Sequence, residues 1–179
     1  MKKKWGLYPR LTCHSVGTLR PGSGLSSFFH FSRYRGLNLT AFSSQIKNGY
    51  SVLIREARGS DASKILEFID TISSESDFLT FGQGEFIMSV EQEKEFLDKI
   101  AKQNNALFIV AEIDSKIIGT ASFSGGARPR ILHIGELSVS VLKEYWGNGI
   151  GTELIKYMID WCKQSGVIRK INLIVRDDN

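Results

Sequence analysis

The stretch Trp146-Gly147-Asn148-Gly149-Ile150-Gly151-Thr152 sets three glycines on alternate positions between a strand-like run and a helix-like run. Glycine lets the backbone turn through conformations that other residues avoid, and lets a ligand come close to main-chain N–H groups. The first N–H groups of a helix have no partner inside the helix, and its dipole favours negative charge there. A strand, a glycine turn and a helix start, in that order, restrict the chain to folds that combine strands and helices. They also make a backbone cradle for phosphate that needs no cationic side chain. A plain tight turn is the other use such glycines have.

The rest of the chain from Ser51 onward is periodic. Residues 52–55 read as a short strand. Ser60 is placed to cap a helix whose apolar residues Ile65, Leu66, Ile69 and Ile72 recur at helical spacing. Ser89-Val90-Glu91-Gln92 has the form of a capping box, followed by Phe96, Leu97 and Ile100 on one face. Residues 107–113 and 117–123 read as a hairpin around the turn Asp114-Ser115-Lys116. Gly125, Gly126 and Pro129 mark a loop, and residues 131–141 read as a long strand. After the glycine loop come Leu154, Ile155, Met158, Ile159 and Cys162 at helical spacing, with Gly166 at a helix C-terminus and a last strand over 171–175. The order β-α-α-β-β-β-α-β predicts a three-layer α/β domain.

Residues 1–50 behave differently. They carry eight basic residues and no acid, whereas 51–179 carry fifteen basic and nineteen acidic side chains. The overall charge of +4 therefore comes from the leader and predicts no nucleic-acid partner for the domain. The expected division is a poorly ordered leader over 1–50 and a domain over 51–179. The leader has three open explanations: an organelle-targeting segment, a basic arm, or an extension without function. The expected location is the cytoplasm, or an organelle if the leader is a transit peptide. No window approaches about 18 uninterrupted apolar residues, so no membrane span is expected. Cys13 and Cys162 lie far apart and outside any CxxC or His/Cys cluster, so no metal site is expected.

Two other phosphate loops share this context. The dinucleotide fingerprint needs GxGxxG almost at the strand end. Here Gly149-Ile150-Gly151-Thr152-Glu153-Leu154 lacks the last glycine, and five residues, 142–146, precede the first. A dinucleotide-binding module is thus the remote alternative. The Gly-Lys-Ser/Thr ending of a Walker loop is absent.

The segment from Glu136 to Thr152 resembles the acetyl-CoA signature of the Gcn5-related N-acetyltransferases, Arg/Gln-x-x-Gly-x-Gly/Ala after a strand. Gly149 and Gly151 match it, and Trp146 stands at the Arg/Gln position. Residues 171–179 resemble the family's next strand and the Asn that follows. The resemblance implies a mixed sheet with splayed central strands and acetyl-CoA as co-substrate. It implies cofactor contacts from Val139, Ser140 and Val141, from Trp146, Gly147, Asn148, Gly149, Ile150, Gly151 and Thr152, and from Asn179. It also implies direct acetyl transfer to a primary amine of a small molecule or peptide. Such transfer needs a base. Glu136, acting through a water, is the candidate, and His133 is the alternative.

The family's last helix and strands are not found within residues 1–179, so the domain is expected to be incomplete. A catalytically silent CoA-binding fragment is then the alternative function, and the 171–175 edge (Ile171 to Val175) is expected to support a homodimer or a complementing chain. Residues 65–93 hold seven acids (Glu67, Asp70, Glu75, Asp77, Glu85, Glu91, Glu93) and no Lys or Arg. A solvated acidic face is one reading, and, because the resemblance implies that this segment borders the acceptor site, a cationic acceptor is the other.

Overall fold

The structure is a computed structural model, which describes residues 41–45, 49, 51–75, 79 and 81–174. One six-stranded sheet runs β1 (Ala41–Gln45), β2 (Ser51–Glu56), β3 (Ala106–Ile113), β4 (Lys116–Gly125), β5 (Ile134–Val141) and β6 (Lys170–Leu173), in that spatial order. All neighbours are antiparallel except β5 and β6. A parallel pair needs a crossover, and α3 (Ile150–Gln164) supplies it. The remaining helices are α1 (Ala62–Glu75) and α2 (Val90–Ile100).

The two faces of the sheet differ in chemistry. Phe123 on β4 meets Trp161 of α3, with ring centroids 6.0 Å apart. Ala121, Leu137 and Val139 share that face by strand alternation and are buried with Ile150, Leu154, Met158 and Cys162 of α3. Gly135 has to be a glycine there, because a Cβ would strike the Phe123 ring and the Ser124 carbonyl. The opposite face carries α1, whose Ile65, Phe68, Ile69 and Ile72 are buried. That face is apolar at Phe108 and Val110 but polar across β4 and β5. There Thr120, Ser122 and Ser124 stand opposite Ser140, Ser138 and Glu136.

Several boundaries move from their sequence-based places. Residues 41–45 fall in the expected leader, yet they pair with β2 from Ala41↔Arg55 to Gln45↔Ser51, so the sheet begins before residue 51. Ser60 lies inside a 3-10 turn over Gly59–Asp61 and is not the cap of α1. The reason is long-range. Asp61 is 5 % exposed and takes two hydrogen bonds from Arg55, at 2.7 and 2.9 Å, and one from the Arg58 amide at 2.8 Å. Arg55 also reaches Glu112 at 2.8 Å. This network ties the start of α1 to β2 and β3.

β5 starts at Ile134 and not at residue 131, because Pro129–Ile131 forms a 3-10 turn closed by Ile131 N–H on Arg128 O. β6 is shorter than the expected 171–175 strand; Val175 lies outside the described residues. The capping box of α2 forms as expected. The Gln92 amide donates to Ser89 Oγ at 3.2 Å, and the Ser89 amide to Gln92 Oε1 at 3.0 Å. Gly166 follows α3 in the left-handed conformation, φ +68°.

Candidate active site

The glycine loop begins where β5 ends. Leu142 is buried, and its N–H donates to Ile118 O. Lys143–Tyr145 then makes a 3-10 turn, with Tyr145 N–H on Leu142 O and Trp146 N–H on Lys143 O. Glu75, the last residue of α1, accepts the Lys143 amide at 2.8 Å and pins the turn to the helix. Asn148 Nδ2 donates back to Tyr145 O at 3.2 Å and Trp146 O at 3.3 Å. Gly147 and Gly149 take φ of +74° and +90°, values that strain any other residue. Ile150, 1 % exposed, anchors the start of α3 in the core.

The first helix amide with a backbone acceptor is that of Glu153, on Gly149 O at 3.1 Å. Among the described residues no acceptor meets the amides from Gly147 to Thr152, which therefore form a donor-rich corner. A Cβ added at Gly147 or Gly149 would meet nothing within 4 Å. Gly151 is helical, and a Cβ there would touch only Val141 Cγ2 at 4.0 Å. Neither backbone strain nor packing requires a glycine at position 151, in keeping with the Gly/Ala choice of the resembled signature. The cradle thus fits a phosphate group.

The direction of each β5 backbone group follows from three contacts. His133 O accepts from Arg169 and Lys170 on the β6 side, while Ile134 O and Leu142 N–H bond to the β4 side. Alternation turns Val139 and Val141 toward β6, and Ser138 and Ser140 toward β4. Among the described residues the β5–β6 ladder ends at Leu137↔Leu173. Beyond it the N–H and C=O of Val139 and the N–H of Val141 meet no strand among the described residues. The Val141 carbonyl accepts the Trp146 indole N–H at 2.6 Å. Ser140 departs from the expected cofactor contact, because both of its backbone groups turn to β4. Its side chain is 3 % exposed, and its Oγ has no partner among the described residues.

Glu136 is exposed on the α1 face, with Ser124 of β4 on one side and Asn172 of β6 on the other. His133 sits half-buried in the turn before β5. Asn179 lies outside the described residues. The hydroxyls of Thr120, Ser122, Ser124 and Ser138 were not singled out from sequence, and Ser140 was named only as a cofactor contact. Their signal was present, as polar residues on alternate positions of two otherwise apolar strands.

The acidic segment is less uniform than its composition suggests. Glu93 is fully buried, Glu75 holds Lys143, and Glu85 accepts the Gly82 amide at 2.9 Å. Asp77 lies outside the described residues. Asp70 lines a cavity of about 90 Å³ together with Leu66, Ser73, Phe86 and Met88. The larger cavity, about 320 Å³, lies between α1 and the β3–β4 turn and contains neither Glu136 nor any cradle residue. Among the described residues no group of three His, Cys, Asp or Glu could hold a metal ion. No described helix is long and apolar enough to cross a membrane.

Residues 68–179 match the acetyltransferase (GNAT) family model. An acetyltransferase of the GNAT family from Streptococcus pneumoniae is similar at 34% identity and a TM-score of 0.70, over 72% of this chain and 76% of that one. A ribosomal-protein alanine acetyltransferase from Vibrio fischeri is similar at 26% identity and a TM-score of 0.59, over 76% of each chain. The GNAT domain of S. lividans PAT shares the fold at 17% identity and a TM-score of 0.63, over 78% of this chain and 80% of that one. The family model covers more than half of the residues, and the chain belongs to the GNAT acetyltransferases.

Proposed function

We propose that this chain transfers the acetyl group of acetyl-CoA to a primary amine by direct attack. The observation that carries the proposal is the pairing of two open backbone surfaces. The amides of Gly147 to Thr152 suit a pyrophosphate. The groups of Val139 and Val141 suit an amide-bearing arm lying beside β5 as an added strand. Acetyl-CoA, when bound, supplies an activated thioester.

The chain's own side chains would handle the protons. An amine is a nucleophile only once it has lost its extra proton. Glu136, exposed at the β5–β6 junction, would take that proton through a water. His133 is the second candidate for this role. The hydroxyls of Ser124 and Ser138, which reach the surface, would orient a polar acceptor on the α1 face. The surplus of acids over residues 65–93 supports an acceptor that is cationic before it reacts.

Calorimetric titration with CoA and with NAD, followed by a thiol-release assay with acetyl-CoA and a panel of small amines and peptide N-termini, tests the proposal. CoA should bind and NAD should not. Glu136→Gln should lower kcat by about 10²- to 10⁴-fold with little change in CoA affinity. Absence of CoA binding, or equal binding of NAD, would remove the proposal.

A further inference from the structure

β5 keeps an unbroken register against β4 from Gly119↔Val141 to Gly125↔Gly135, and on its opposite edge no described strand pairs beyond Leu137. What stands on that edge at Val141 is a side chain. The Trp146 indole N–H donates to Val141 O at 2.6 Å, at the short end of the hydrogen-bond range. A neighbouring strand, or a ligand lying as one, would use the same carbonyl. The tryptophan is held in place from its backbone. Its N–H donates to Lys143 O at 3.1 Å, and its C=O accepts Asn148 Nδ2 at 3.3 Å. It also joins the two surfaces, because the amides that follow it are the cradle.

We infer that Trp146 is a positioning residue that sets where the amide-bearing arm of CoA lies along β5. With the Val141 carbonyl capped, that edge offers N–H and C=O at Val139 and N–H at Val141, with no acceptor at the cradle end. An arm shifted two residues toward the cradle, about 7 Å along the strand, would find that acceptor taken and the indole in its path. The capped carbonyl therefore restricts the arm to one register. This inference rests on CoA occupying the site, as proposed above.

The test is calorimetric titration of wild type, Trp146→Phe and Trp146→Gln with CoA and with adenosine diphosphate, which lacks the arm. Phenylalanine keeps a ring without the donor, and glutamine keeps a donor without the ring. Trp146→Phe should bind CoA about two- to tenfold more tightly, the worth of one freed acceptor. Its affinity for adenosine diphosphate should not change, and Trp146→Gln should return CoA affinity to about that of wild type. A purely structural tryptophan would instead weaken both ligands on substitution. Equal or weaker CoA binding by Trp146→Phe overturns the inference.

Wild type that binds no CoA overturns the proposed function and the inference with it. Wild type that binds CoA, with an unchanged Trp146→Phe, overturns the inference alone. If Trp146→Phe does not fold, the wild-type indole N–H resonance decides. It should exchange slowly both free and with CoA bound, and loss of that protection on binding overturns the capping role.

Discussion

Substituting Gly151 should separate what the fold tolerates from what a bound phosphate tolerates, with alanine raising stability and valine lowering ligand affinity. Gly151 is the second residue of α3, its φ is outside the left-handed region, and a Cβ there meets only Val141 Cγ2 at 4.0 Å. A Gly→Ala change that introduces neither strain nor clash stabilises by about 0.4–1 kcal/mol, because the unfolded chain loses freedom. For a domain of this size that is a rise in Tm of roughly 1–4 °C. A single methyl is what the signature Arg/Gln-x-x-Gly-x-Gly/Ala admits at this position, so CoA affinity should hold in Gly151→Ala, whereas the branched side chain of Gly151→Val should crowd a phosphate on the loop. A displaced phosphate loses part of its bonding to the amides, and a tenfold loss in affinity corresponds to about 1.4 kcal/mol.

The assay is differential scanning calorimetry of the free protein alongside isothermal titration with CoA. Gly149 is a poorer probe, since its φ of +90° would add backbone strain to any loss of binding. If Gly151→Val binds CoA as wild type does, phosphate does not lie against this turn. If the Tm of Gly151→Ala falls, the account of a glycine unneeded by the fold is wrong.

Two further predictions follow from buried ionisable groups. Asp61→Asn should cost about 1.5–3 kcal/mol, because Arg55 loses its charge-assisted hydrogen bonds to Asp61 in a largely buried site and keeps Glu112 as its charged partner. Burial alone would raise the Asp61 carboxyl, but hydrogen bonds from Arg55 and the Arg58 amide outweigh it and hold it below 3.8. The stabilisation should therefore be complete above pH 3.8 and fade as pH falls through the lowered value. Urea titrations of wild type and variant check this, and a gap that persists unchanged at low pH would contradict it. Cys162 is 3 % exposed, and burial pushes its thiol up to about 11. In Cys13→Ser, Ellman's reagent at pH 8 should react only after denaturation; rapid labelling of the native protein would show that the α3 face opens.

The sequence by itself determined what depends on neighbours along the chain. The capping box at Ser89 and Gln92, the apolar stripe of α3, the glycine at 166 and the cradle at 147–152 all arise from residues within a few positions of one another. Their geometry follows from dihedral preference and helix period. Only the tertiary structure decided the contacts that span the chain. Arg55 finds Glu112 across 57 positions, and that network turned the expected cap at Ser60 into a 3-10 turn on Asp61. Residues 41–45 show no period that marks a strand, yet they pair with β2 because a sheet edge leaves backbone groups to satisfy. The Trp146 indole meets Val141, five residues away, only because the 3-10 turn at Lys143–Tyr145 folds the loop back on the strand. The hydroxyl wall needed both strands in register before Thr120 could be placed beside Ser140. Periodicity shows which residues share a face of one strand, while pairing and register, which no local pattern encodes, decide what that face meets.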